Sequence, residues 1–116
     1  MNMARVALLG GGKMGAALLG GLLEVGWEAD QLSVAEIDIE RRRELEQQFP
    51  KVRVVPSPAW AVADAEVVVL AVKPGDVAAT LGSVEPALRE DTLVLSIAAG
   101  VTIAAIEALV PLSLIH

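Results

Sequence analysis

Two hydrophobic patterns alternate along this chain. Short apolar runs recur at Arg5–Leu9, Leu32–Glu36, Val52–Val55, Val67–Val72 and Leu93–Ala98. Their length and their turn-forming flanks predict strands. Between them, apolar residues recur at helical spacing. Met14–Val25 predicts a helix with Leu18, Leu19, Leu22 and Leu23 on one side, stopped by Gly26 as its C-cap residue. Gly20 and Gly21 inside it each cost roughly 1 kcal/mol relative to alanine. The expected return is close approach to the sheet or a neighbour. Ile39–Phe49 predicts a second helix, capped by Asp38 and ended by Pro50, with Arg41, Arg42, Arg43, Glu44, Glu46 and Gln47 on its solvent side. Ser57 as N-cap and Pro58 as first helical residue open a short third helix that ends near Ala63. After the break at Lys73-Pro74-Gly75-Asp76, Val77–Leu81 and Val84–Leu88 predict a fourth helix interrupted around Gly82-Ser83. Ala99-Gly100 is read as a turn, Thr102 as an N-cap and Ile103–Leu109 as the last helix.

Val67–Val72 is apolar without alternation, which suits a strand buried on both faces. Strands of this kind alternating with helices predict an α/β fold. The expected form is a Rossmann-like doubly wound parallel sheet of about five strands with helices on both faces. In such sheets ligands bind beyond the carboxyl ends of the strands, where strand order reverses. That rule selects Gly10–Gly15, Glu36–Asp38, Lys73-Pro74 and Ala98–Gly100.

Composition narrows the function. At 116 residues and 54% hydrophobic, the chain is read as one domain with a real core. Cysteine is absent and His116 is the lone histidine, so no metal cluster or histidine-dependent triad is expected. A net charge of −6 argues against nucleic acid and anionic membranes as partners. The apolar runs are too short for a membrane span, and no signal peptide is evident. The expectation is a soluble, cytoplasmic protein.

The chemistry centres on Gly10-Gly11-Gly12-Lys13-Met14-Gly15 between the first strand and the first helix. Gly10, Gly12 and Gly15 match G-x-G-x-x-G in the strand–turn–helix context that the motif requires. Gly10 suits a turn with positive φ, Gly12 lets the backbone approach a pyrophosphate, and Gly15 seats the helix on the strand. The helix's first N–H groups then face an anion. The alternative is a glycine turn that only packs. A P-loop fits poorly, because Met14 follows Gly12-Lys13 where Ser or Thr belongs. Lys13 is a candidate phosphate contact or a solvent-facing side chain, and Met14 packs on cofactor or seats the helix. Glu36 stands 21 residues beyond Gly15, where an acidic residue accepts from the ribose 2′-hydroxyl. That leans toward NADH. Arg41–Arg43 read as a solvated helix face, or as contacts to the 2′-phosphate of NADPH.

Three stretches, Leu9–Gly15, Ala71-Val72-Lys73-Pro74 and Ser96-Ile97-Ala98-Ala99-Gly100-Val101-Thr102, resemble the N-terminal half of pyrroline-5-carboxylate reductases. The last two are more specific than the glycines. The resemblance implies reduction of 1-pyrroline-5-carboxylate to L-proline with NADH or NADPH. It also implies cofactor contacts from Gly10 to Gly15, from Ala71, Val72, Lys73 and Pro74, and from Ala98 and Ala99. The family usually carries Asn or a similar polar residue at the Lys13 position. Its members continue into a sixth strand bearing Met-Pro-Asn and a helical domain that builds the substrate pocket and the homo-oligomer. On that comparison, residues 1–111 are a dinucleotide-binding domain and residues 112–116 a non-matching tail. The chain is expected to bind a dinucleotide without turning over the imino-acid substrate alone, and no catalytic residue is named within it. The competing readings are another oxidoreductase of the 3-hydroxyacid dehydrogenase type and a non-enzymatic dinucleotide-binding module.

Overall fold

The structure, a computed structural model, describes residues 5–96. Five parallel strands form one sheet: β1 (Val6–Leu9), β2 (Leu32–Ala35), β3 (Arg53–Val55), β4 (Val67–Leu70) and β5 (Leu93–Ser96). Their order is β3-β2-β1-β4-β5. The chain winds outward from β1 through β2 to β3, then crosses to β4 on the other side. Strand order therefore reverses between β1 and β4. The register sets Val6 beside both Leu32 and Val67.

Successive side chains on a strand face opposite ways. Val6 and Leu8 enter one core, with Leu19 and Leu22 from helix α1 (Lys13–Glu24) and Leu45 from α2 (Ile39–Gln48). Ala7 and Leu9 enter the other, with Ala61 and Val62 from α3 (Pro58–Val62) and Val84 from α4 (Val77–Val84). Every residue of β1, β2 and β4 is buried. The doubly wound architecture expected from the apolar runs is present.

Local chemistry sets the helix ends. Gly26 has φ +108°, and its N–H donates to Leu23 O while Trp27 N–H donates to Leu22 O. This is a Schellman cap, and it folds Trp27 into the core beside Leu22. Asp38 caps α2 by accepting from Glu40 N at 3.3 Å. Ser57 occupies the N-cap of α3 through its backbone only, since its side chain makes no capping bond.

Three expectations need correction. The fourth helix is not broken at Gly82-Ser83: α4 runs through both to Val84, and a 3-10 turn follows at Glu85–Ala87. Pro86 stops it, because proline has no N–H to continue the helical hydrogen bonding. Gly82 stands in open space and only weakens the helix. The strand expected at Val67–Val72 ends at Leu70, with Ala71 N–H donating the last rung to Leu9 O at 2.8 Å. Third, Gly20 is not required by close approach. A Cβ there would lie 3.7 Å from Phe49 Cε1, an ordinary contact. Gly20→Ala is therefore expected to stabilise the domain by about 1 kcal/mol. A raised thermal midpoint checks this, and a lowered one would show that the Phe49 contact is already full.

The readings on Ile97–Gly100, Thr102, Ile103–Leu109 and Pro111–His116 lie outside the described residues. Among the described residues no helix is long and apolar enough to cross a membrane.

Candidate dinucleotide-binding site

A cleft of about 550 Å³ opens beyond the carboxyl ends of β1, β2 and β4, at the reversal point. The glycine loop forms its floor through Gly10, Gly11 and Gly12, Glu36 and Ile37 close the β2 side, and Ala71, Val72 and Lys73 close the β4 side. Of the residues that the switch-point rule selects, Gly10, Gly11, Gly12, Glu36, Ile37 and Lys73 line this cleft.

The glycines divide by physical role. Gly10 has φ +105°, and a Cβ on it would lie 2.8 Å from Ala71 O. Its N–H donates to Ala35 O at 2.8 Å, which ties the loop to β2. A Cβ on Gly15 would lie 2.3 Å from Gly10 O, so α1 can pack on the loop only with glycine there. Gly11 is buried, and a Cβ on it would lie 2.4 Å from Leu45 Cδ1. Gly12 differs from all three. Its φ of −69° suits any residue, and a Cβ on it would meet no atom within 4 Å. Packing within the protein therefore does not require glycine at position 12.

Gly12 is also the N-cap of α1, and no side chain caps that helix. The first turn of α1 holds no acidic residue. Its free N–H groups and dipole thus favour an anion. Lys13 and Met14 lie exposed on this first turn, with Met14 at 64%. Neither lines the cleft wall, and Pro74 lies in the 3-10 turn Pro74–Asp76 just past Lys73.

Glu36, Arg41 and Arg42 are each bonded to backbone groups around the cleft. Glu36 Oε1 accepts from Gly11 N–H at 2.8 Å and Oε2 from Asp38 N–H at 3.0 Å. A carboxylate oxygen has two acceptor sites, so each retains capacity for a hydroxyl from the cleft. Arg41 Nε donates to Gly11 O and its Nη1 pairs with Glu44 Oε1 at 3.2 Å. Arg42 Nη1 donates to the Glu36 and Ile37 carbonyls at 2.8 and 3.0 Å. The expected solvated helix face is thus corrected for Arg41 and Arg42, which are half-buried over the end of β2, while Arg43 is exposed. Sequence reasoning missed Asp76 and Thr80, which line the β4 side of the cleft. The start of the fourth helix next to the predicted Lys73-Pro74 contact was the available signal. Ala98 and Ala99 lie outside the described residues.

An all-parallel sheet with this strand order, a glycine loop on its central strand and an uncapped helix start at the reversal point define a Rossmann-type nucleotide-binding domain. Residues 5–100 match the family described as NADP oxidoreductase, coenzyme F420-dependent, and the chain belongs to it. It is 43% identical over 108 residues to a pyrroline-5-carboxylate reductase of Pseudomonas aeruginosa, covering 93% of this chain and 39% of that protein. Among solved structures it is similar to a pyrroline-5-carboxylate reductase from Coxiella burnetii. That match has a TM-score of 0.76 and 25% identity, covering 82% of this chain and 35% of the other. The 3-hydroxyisobutyrate dehydrogenase of Mycobacterium tuberculosis matches with a TM-score of 0.70 and 27% identity, covering 81% and 31%. The chain spans about two-fifths of the length of the curated relatives it matches.

Proposed function

We propose that this chain is the cofactor-binding domain of a reductase that converts 1-pyrroline-5-carboxylate to L-proline with NADH or NADPH. The observation that carries dinucleotide binding is the open space above Gly12 beside the uncapped start of α1. The substrate assignment is supported by the 43% identity to a reductase of that name.

The residues present fit the cofactor. Gly10, Gly12 and Gly15 shape the loop for a diphosphate, which the first N–H groups of α1 and the Lys13 ammonium attract, with Met14 beside them. Glu36 takes the adenosine ribose. Ala71, Val72 and Lys73 border the opposite end, with Pro74 next in the chain, and the family resemblance adds Ala98 and Ala99 to the proposed contacts. When bound, the cofactor supplies hydride to a carbon–nitrogen double bond. This chain's own groups bind and orient it. A protonated imine is already electrophilic, so no general acid is assigned among them. The reading includes a cytoplasmic location and a homo-oligomeric whole enzyme.

The Glu36 carboxylate favours a free ribose hydroxyl over a 2′-phosphate, so NADH is expected to bind more tightly than NADPH. Glu36→Gln keeps one acceptor oxygen and removes the charge. It is expected to shift the NADPH-to-NADH affinity ratio toward NADPH by about fivefold. Fluorescence titration with both nucleotides tests the reading and the preference together. No binding of either nucleotide would reject the domain assignment, and wild-type preference for NADPH would reject the role of Glu36. In the whole enzyme, L-proline is expected to compete with substrate. A dehydrogenase of the 3-hydroxyisobutyrate type would be indifferent to it.

A further inference from the structure

The peptide units around Gly11 are gripped from two sides. Its N–H donates to Glu36 Oε1 at 2.8 Å, and its carbonyl accepts from Arg41 Nε. The acid directly follows β2 and the base stands in the first turn of α2, so one stretch of chain supplies both jaws. The gripped residue directly precedes Gly12, the position kept open for a ligand. Arg41 is itself held. Its side chain is 23% exposed, and its other arm pairs with Glu44.

We propose that Arg41 is a positioning residue of the dinucleotide site, serving the phosphate loop and not the 2′ position of the ribose. The proposal rests on the reading of the cleft as a dinucleotide site. A glycine loop has large conformational freedom, and holding it in one shape before binding removes an ordering cost. Three successive glycines have no side chains with which to fix themselves, so the restraint comes from outside the loop. Glu36 and Arg41 supply it through both polar groups of one residue. These bonds fix the direction of the Arg41 guanidinium, with Nε turned to the loop carbonyl and Nη1 to Glu44, before any ligand arrives. Arg42 is committed in the same way, to the Glu36 and Ile37 carbonyls. Arg41 thus contributes to affinity for any diphosphate-bearing dinucleotide and leaves the choice between NADH and NADPH unchanged.

The test compares wild type, Arg41→Ala and Arg41→Lys by NADH and NADPH titration. Amide hydrogen exchange at residues 11–13 and thermal melts are measured on the ligand-free proteins. Arg41→Ala is expected to weaken NADH and NADPH alike, roughly tenfold each. Exchange at residues 11–13 is expected to quicken while the β1 and β4 amides stay protected and the melt barely moves. Arg41→Lys keeps the charge but loses the fixed Nε donor, and is expected to follow Arg41→Ala. A loss confined to NADPH and restored by Arg41→Lys would make Arg41 a reader of the 2′-phosphate and overturn the proposal. Unchanged affinities in both variants would overturn it too, as would a general rise in exchange with a lowered melt. Wild type binding neither nucleotide is a different failure, because it removes the site itself.

Discussion

Alanine at Gly12 is expected to leave the fold intact and to weaken NADH and NADPH by at least tenfold, about 1.4 kcal/mol. Two backbone effects oppose each other at this position, and the space above it is empty. Alanine is a poorer N-cap than glycine, which costs a few tenths of a kcal/mol or more. Alanine also restricts the unfolded chain, which returns about the same amount. The native φ of −69° is open to it, and its Cβ would touch no protein atom within 4 Å. The melting temperature should thus stay where it is. A diphosphate resting on the loop meets the new methyl directly, and Gly12→Leu, with a larger side chain, should abolish binding. Paired melts and titrations check the result. A Gly12→Leu protein that binds as well as wild type would remove the basis for placing the ligand here.

Gly15→Ala is expected to act in the opposite way, through the fold. The new Cβ would sit 2.3 Å from Gly10 O. That oxygen cannot yield cheaply. Gly10 is held at φ +105°, and its N–H is bonded to Ala35 O. Either α1 lifts off the sheet, exposing Leu19 and Leu22, or the loop distorts. The expected loss is about 3 kcal/mol. For a domain of this size that lowers the thermal midpoint by more than about 10 °C. Differential scanning calorimetry measures it, and a midpoint within a degree or two of wild type would show that the helix start relaxes easily. Two glycines of one motif are thus separated by experiment. The expected signature is lost binding with an intact fold at Gly12, and a lowered melt at Gly15.

The sheet was legible because buried parallel strands must be apolar throughout, and Val67–Leu70 and Val6–Leu9 are. Gly26 and Asp38 were legible because helix ends need particular chemistry within a few residues. The end of α4 was misread because glycine and proline both discourage helices. Only their relative strength, with Pro86 outweighing Gly82, decides which one stops it.

The alternation of strands and helices and the glycine loop on the first crossover could be read from the chain alone, as could the acid Glu36 closing the second apolar run, which lies one residue past β2. These follow from periodicity and spacing, which are local properties of a chain. Tertiary structure alone decided that Gly12 faces empty space while Gly15 faces Gly10 O. It also decided that Arg41 and Arg42 turn from the solvent to the carbonyls at the cleft. Those outcomes depend on which residues distant in sequence meet when β1, β2 and α2 pack together, and no local pattern encodes that meeting.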